Sequence, residues 1–194
     1  IPFIFPATRL NREYFGDGSM RQMAPISPAL HLGAERVLII GLHKALDASP
    51  KRVQVTCYPP LAQIAGHVMN SIFVDSLDID LERLHRINKT LDLIPPETLK
   101  EKSSPLKPVE SMMISPSEEI NYIAQQHAMA LPRVMRFLYR AIGAMGPNGS
   151  TLLSYVLFEA SFCQALIDLG YADTMRQKDD VLEFLGIKPL EEKI

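Results

Sequence analysis

The sequence predicts an α/β fold, and two patterns carry that expectation. Residues 37–42, Val-Leu-Ile-Ile-Gly-Leu, form an apolar run without polar alternation. A strand covered on both faces reads this way, which points to a parallel sheet between helices. From residue 59 onward the apolar residues recur at helical spacing instead, so mainly helices follow. At 194 residues the chain suits one ordinary domain with a sizeable core.

The elements follow in order. Residues 1–10 are apolar and contain Pro2 and Pro6, an extended lead-in. Residues 13–16 read as the end of a short strand. Ser27 and Pro28 fit the cap and first position of a short helix, since Ser accepts an orphan N–H and Pro has none to lose. Gly33 supplies the left-handed stop. Leu61, Ile64, Ala65, Val68, Met69, Ile72 and Phe73 share one predicted helix face. Leu77, Leu81, Leu84 and Leu91 predict a second helix, ended by Pro95 and Pro96. Residues 95–108 hold four prolines among Glu, Lys and Ser and read as a mobile loop. Residues 109–114 return as a strand. Ser115-Pro116-Ser117-Glu118 reads as a capping box. Leu131-Pro132 breaks the helix that follows, and residues 143–149 turn. Ser150 then caps a long helix with Leu153, Val156, Leu157, Ala160 and Ile167 inward, closed by Gly170. A short helix over 179–185 ends at Gly186.

Composition excludes several classes of function. The net charge is −2 and no basic block is present, so nucleic acid is not an expected partner. Cys57 and Cys163 share no metal-type spacing and read as buried thiols of a reducing, cytoplasmic compartment. No apolar run reaches the roughly 18 residues of a membrane span. The chain begins at Ile1, without Met, inside an apolar run, which reads as the cut end of a longer parent.

The strongest chemical candidate is Asp17, between Gly16 and Gly18. Asp-Gly is a common turn dipeptide, because Asp bonds its own backbone and Gly takes positive φ. In a parallel α/β sheet, however, sites form at the carboxyl ends of strands. Two flanking glycines there would let the chain turn sharply and leave the carboxylate uncovered. Such an Asp can take a proton from a hydroxyl nucleophile. Ser19 follows but lacks the strand-to-helix elbow of a nucleophile. The five histidines show no metal-ligand spacing, so no metal is expected. Glu159, in an apolar helix, receives no role. Arg133, Arg136 and Arg140 recur near helical spacing beside Val134, Met135, Phe137 and Leu138. An amphipathic helix with a solvated basic face accounts for them; a surface meeting lipid head groups is the alternative. Met112, Met113, Met129, Met135 and Met145 read as core filling, or as the lining of an acyl-chain groove.

The string Gly16-Asp17-Gly18-Ser19, then Ala24-Pro25-Ile26-Ser27-Pro28-Ala29-Leu30, then Leu32-Gly33-Ala34 and the run from Val37, resembles the aspartate motif of patatin-like phospholipases. Ser154-Tyr155-Val156-Leu157-Phe158-Glu159 and Leu169-Gly170-Tyr171-Ala172-Asp173 are similar to later parts of bacterial members, so the resemblance runs over most of the chain. It implies the C-terminal portion of a three-layer α/β/α fold with additional C-terminal helices. Residues 1–58 would be the Asp-motif α/β part. Residues 59–194 would be mainly helical, with the Pro-rich loop at 95–108. It also implies a lipid acyl hydrolase with a Ser-Asp dyad and no cofactor, in which Asp17 is the general base. The family's serine motif, G-x-S-x-G, is absent from the sequence. One departure is Ser19, where the family usually has Gly or Ala. The implied partners are a lipid ester, a membrane surface met peripherally, and either a missing N-terminal half or a second copy. Two other readings stay open: a lipid-binding module without catalysis, and a module whose helices after residue 59 dock a protein. A nucleotide site is disfavoured, since no G-x-G-x-x-G or P-loop occurs.

Overall fold

The structure, a computed structural model, describes residues 6–18, 22, 24–43, 58–95 and 106–187. It is a mixed α/β fold, with two small sheets among the described residues. The chain divides into two compact units, Ile1–Val37 with Val68–Glu110, and Leu38–His67 with Ser111–Ile194.

The first sheet is a hairpin. Strand β1 (Thr8–Leu10) pairs antiparallel with β2 (Glu13–Phe15), with Leu10 opposite Glu13. Asn11 opens the two-residue turn at φ 56°, a left-handed conformation that Asn tolerates well. Every residue of both strands is exposed. The second sheet pairs β3 (Arg36–Ile40) with β4 (Glu110–Ile114). The Glu110 N–H donates to the Glu35 carbonyl at one end, and the Gly41 N–H to the Ile114 carbonyl at the other, so the strands run parallel. The expected cover on both faces of β3 is not found: Ile39 is buried, but Ile40 is 72% exposed. Among the described residues this sheet has two strands, too few for the apolar run to be enclosed.

In the first unit, helix α1 (Ser27–His31) begins one residue earlier than its Ser-Pro pair suggests. Ile26 is the cap, and its N–H donates to the buried carboxylate of Asp80 at 2.9 Å. A side chain from elsewhere in the chain thus replaces a local cap. Gly33 stops α1 at φ 85°, with the Gly33 N–H on Leu30 and the Ala34 N–H on Ala29. This is a Schellman closure. Helix α3 (Asp75–Leu91) supplies Asp80 and buries Leu84 and Leu91. Its Asn88 amide donates to the Val109 carbonyl at 2.7 Å and accepts the Val109 N–H at 3.1 Å. One side chain therefore pairs with the backbone as a neighbouring strand would.

Helix α2 (Leu61–Phe73) buries a face other than the expected one. Leu61, Ile64 and Val68 are exposed, while Ala62 and Gly66 are buried. A Cβ on Gly66 would lie 2.9 Å from Thr151 Cβ and 3.1 Å from the Leu152 nitrogen. Close backbone approach, rather than bulk, selects this face.

In the second unit, helix α4 (Ile120–His127) packs against α6 (Ser150–Val156) and α7 (Ala160–Arg176). Helix α5 (Arg133–Ala141) follows the Leu131-Pro132 break, and α8 (Lys178–Leu185) ends at left-handed Gly186. Leu153 and Leu157 are the largest fully buried side chains among the described residues, each worth about 1.5–3 kcal/mol. The single long helix expected from Ser150 is instead two, bent by 97° at residues 157–159. Leu157 leaves helical geometry at ψ 87° while its side chain stays in the core. Ile167, expected inward, is 64% exposed, and α7 runs through Gly170 to Arg176. The expected capping box is also absent: α4 starts at Ile120 behind Glu119, which makes no side-chain cap. No single helix among the described residues is long and apolar enough to cross a membrane.

Candidate functional site

Asp17 lies in the first unit, directly after β2, and is exposed. It follows a hairpin strand rather than the end of a parallel strand. Three residues and a two-residue turn pair most readily with their nearest neighbour, β1. Gly16 and Gly18 take no left-handed angle, and a Cβ on either would meet nothing within 4 Å among the described residues. The glycines therefore do not mark the sharp left-handed turn expected there. Ser19 lies outside the described residues, as do Cys57 and most of the Pro-rich loop.

The second unit holds a cavity of about 240 Å³ that the sequence reading did not foresee. The backbone ends of β3 (Ile40, Leu42) and β4 (Ile114, Pro116) form one wall, and Leu166 and Leu169 of α7 form the other. It sits at the carboxyl ends of the parallel strands, where open α/β folds place ligands. None of the five methionines considered for an acyl groove lines it. The aliphatic wall comes from Ile and Leu instead. Gly170, expected to end a helix, lies at the mouth of this cavity in the interior of α7.

Asp173 is the charged group of the lining and is 2% exposed. Its Oδ2 accepts the Ser117 N–H at 2.8 Å, and Arg176 Nη1 stands 2.7 Å from Oδ1. Burial pushes this carboxyl up. The Ser117 N–H and hydroxyl, with the Arg176 guanidinium, outweigh burial and hold it below the ordinary carboxylate value. Asp173 therefore stays ionised and pins the loop after β4 onto α7.

The other candidates are placed as follows. His127 Nδ1 lies 3.1 Å from Ser161 Oγ, a nucleophile–base type of contact at the junction of α4 and α7. Ser161 is exposed and outside the cavity lining, so the pair serves as a helix–helix tie. His31 bonds within α1 to Ser27. No cluster of three metal-ligating side chains occurs among the described residues. Glu159 sits at the break between α6 and α7, as the cap of α7, rather than inside a helix. Helix α5 exposes Val134 (78%), Phe137 (77%) and Leu138 (54%) on one stripe. Arg133, Arg136 and Arg140 border that stripe on one side, and none pairs with a carboxylate among the described residues. Arg133 and Arg140 are exposed beside the apolar stripe, while Arg136 is half-buried and donates to the Met129 sulfur; the exposed apolar stripe is what a simply solvated basic face does not require.

No family model, curated protein or solved structure matches the chain.

Proposed function

We propose that the protein is a lipid acyl hydrolase of the patatin-like, Ser-Asp type, to which this chain contributes Asp17. The observation that carries the reading is the exposed position of Asp17, between two glycines at the end of a strand. In the proposed reaction a serine supplied from outside this sequence attacks the ester carbonyl. Asp17 takes the serine proton and passes it to the departing alcohol, leaving an acyl-enzyme that water cleaves by the same route. No cofactor takes part. On this reading β3 and β4 are two strands of a three-layer α/β/α sheet. The open stripe and arginine edge of α5 support action at a membrane surface, with the lipid ester as substrate. The serine-bearing half of the protein, or a second copy, is the expected partner.

The test is hydrolysis of a lysophospholipid by the full-length protein that carries this chain, with and without Asp17→Asn. Loss of turnover by about 10²–10⁴-fold is expected, with thermal stability unchanged because the side chain is exposed. Near-wild-type turnover overturns the assignment. A second reading, lipid binding without cleavage, is favoured by the aliphatic lining of the cavity. It predicts lipid capture with no release of fatty acid by the unmutated protein.

A further inference from the structure

We infer that helix α5 docks the protein on the surface of an anionic phospholipid bilayer, with Phe137 entering the acyl boundary and Arg133 and Arg140 held at the lipid phosphates. This deepens the proposed action at a membrane surface. It concerns binding alone, so its failure leaves Asp17 to its own turnover test.

Helix α5 presents its apolar stripe to the outside. Val134, Phe137, Leu138 and Ala141 follow i, i+3, i+4 and i+7 spacing, and all four are exposed. A surface helix of a globular protein turns such a stripe to the core. Here the buried residue is Tyr139, on the far side of the helix. Anchoring by Tyr139 leaves the stripe standing outward as a ridge, with Val134 and Phe137 each more than three-quarters exposed. No residue of α5 lines the cavity beside α7.

Charge says what meets the ridge. From Ile120 to Phe158 the sequence has no Asp, Glu or Lys, and its formal charges are Arg133, Arg136 and Arg140. All 22 Asp and Glu of the chain lie elsewhere, although the net charge is −2. Arg133 stands four residues before Phe137 and Arg140 three after, so both neighbour it on the helix surface. Both are exposed, and neither pairs with a carboxylate among the described residues. Arg136 is half-buried and donates to the Met129 sulfur at 3.7 Å, which sets the exposed Met129 beside the helix. A Phe and aliphatic ridge edged by Arg suits a fluid anionic interface. The ring leaves water while the guanidinium groups stay at the phosphates. A bilayer closes around a ridge, whereas a protein partner would have to bring a groove lined with acids.

The sequence has no tryptophan, so Phe137→Trp places a single reporter on the ridge. With vesicles of equal parts phosphatidylcholine and phosphatidylglycerol, its emission is expected to shift to the blue and to be quenched by brominated acyl chains. Leu32→Trp, also at an exposed position but in the other unit, is expected to do neither. Arg133→Gln with Arg140→Gln is expected to weaken partitioning about thirtyfold, with the helical circular dichroism retained. Should Phe137→Trp fail to fold, Val134→Trp reports from the same ridge. No shift in a folded Phe137→Trp or Val134→Trp protein overturns the bilayer as partner and leaves the ridge to an acidic protein. An equal shift with phosphatidylcholine alone overturns the anionic assignment, as does unchanged partitioning of the double arginine variant. An equal shift at Leu32→Trp means general adhesion and overturns the site.

Discussion

Asp80 and Asp173 are carboxylates whose contribution is to satisfy a backbone N–H that no local cap reaches. Asp80 accepts from Ile26 and Asp173 from Ser117. Removing such an acceptor leaves a donor unpaired, at a cost of about 1–3 kcal/mol. Asp80→Ala is therefore expected to lower unfolding free energy by that amount in urea, and Asp80→Asn, which keeps an oxygen, by less. Asp173 adds a pH dependence. Its folded pKa lies below the ordinary value, so the unfolded chain binds the proton more readily. The stabilisation is complete above the unfolded pKa of about 4 and is lost as pH falls through the depressed folded value. Asp173→Asn is expected to be less stable at neutral pH and to show a flatter stability profile below about pH 5. A profile superimposable on wild type would remove Asp173 from the acid transition. Neither bond is readable from sequence, since each joins residues more than fifty positions apart.

Elements were legible where a local cause ends them. Gly33 and Gly186 stop their helices by left-handed geometry, and Leu131-Pro132 separates α4 from α5, all as the residue types predict. The strand at Glu110–Ile114 also follows from its apolar pattern. The bend at residues 157–159 has neither Pro nor Gly, so nothing local announces it. Gly170 misled in the opposite sense, because a helix tolerates glycine at about 1 kcal/mol relative to alanine. The buried face of α2 was hidden because small residues, not large ones, define it. Gly66→Ala is expected to destabilise by about 1–3 kcal/mol despite its better helix propensity, as overpacking at Thr151 outweighs that gain. A rise in melting temperature would contradict the close packing. Helix α5 carries its own prediction: cosedimentation with anionic vesicles, weakened by salt and by Arg133→Gln with Arg140→Gln. Phe137→Ser is expected to weaken it even at low salt. Equal binding to zwitterionic vesicles would remove the role of the arginines.

For the whole molecule, the sequence predicted an α/β class and described it correctly at that level, while the interleaving of the two units was beyond its reach. Asp17 was legible because its chemistry is local. The cavity was not, because its walls come from residues 40–42, 114–120 and 166–174, which only the fold gathers. Each unit is built from two separated segments. A fragment of residues 1–110 holds both segments of the first unit and is expected to keep slow exchange of the Ile26 amide. A fragment stopping at residue 67 lacks Asp80 and is expected to lose it. Fast exchange in both would show that the acceptor is not what protects Ile26.

The same interleaving sets a schedule during synthesis. Segment Ile1–Val37 leaves the ribosome well before its companion Val68–Glu110, a delay of several seconds or more at about 5–20 residues per second. Until residue 80 is made, the Ile26 amide is on a nascent chain that lacks its acceptor, Asp80. Slow codons between 38 and 67 would lengthen this exposure, whereas slow codons after residue 110 would give the first unit time to close.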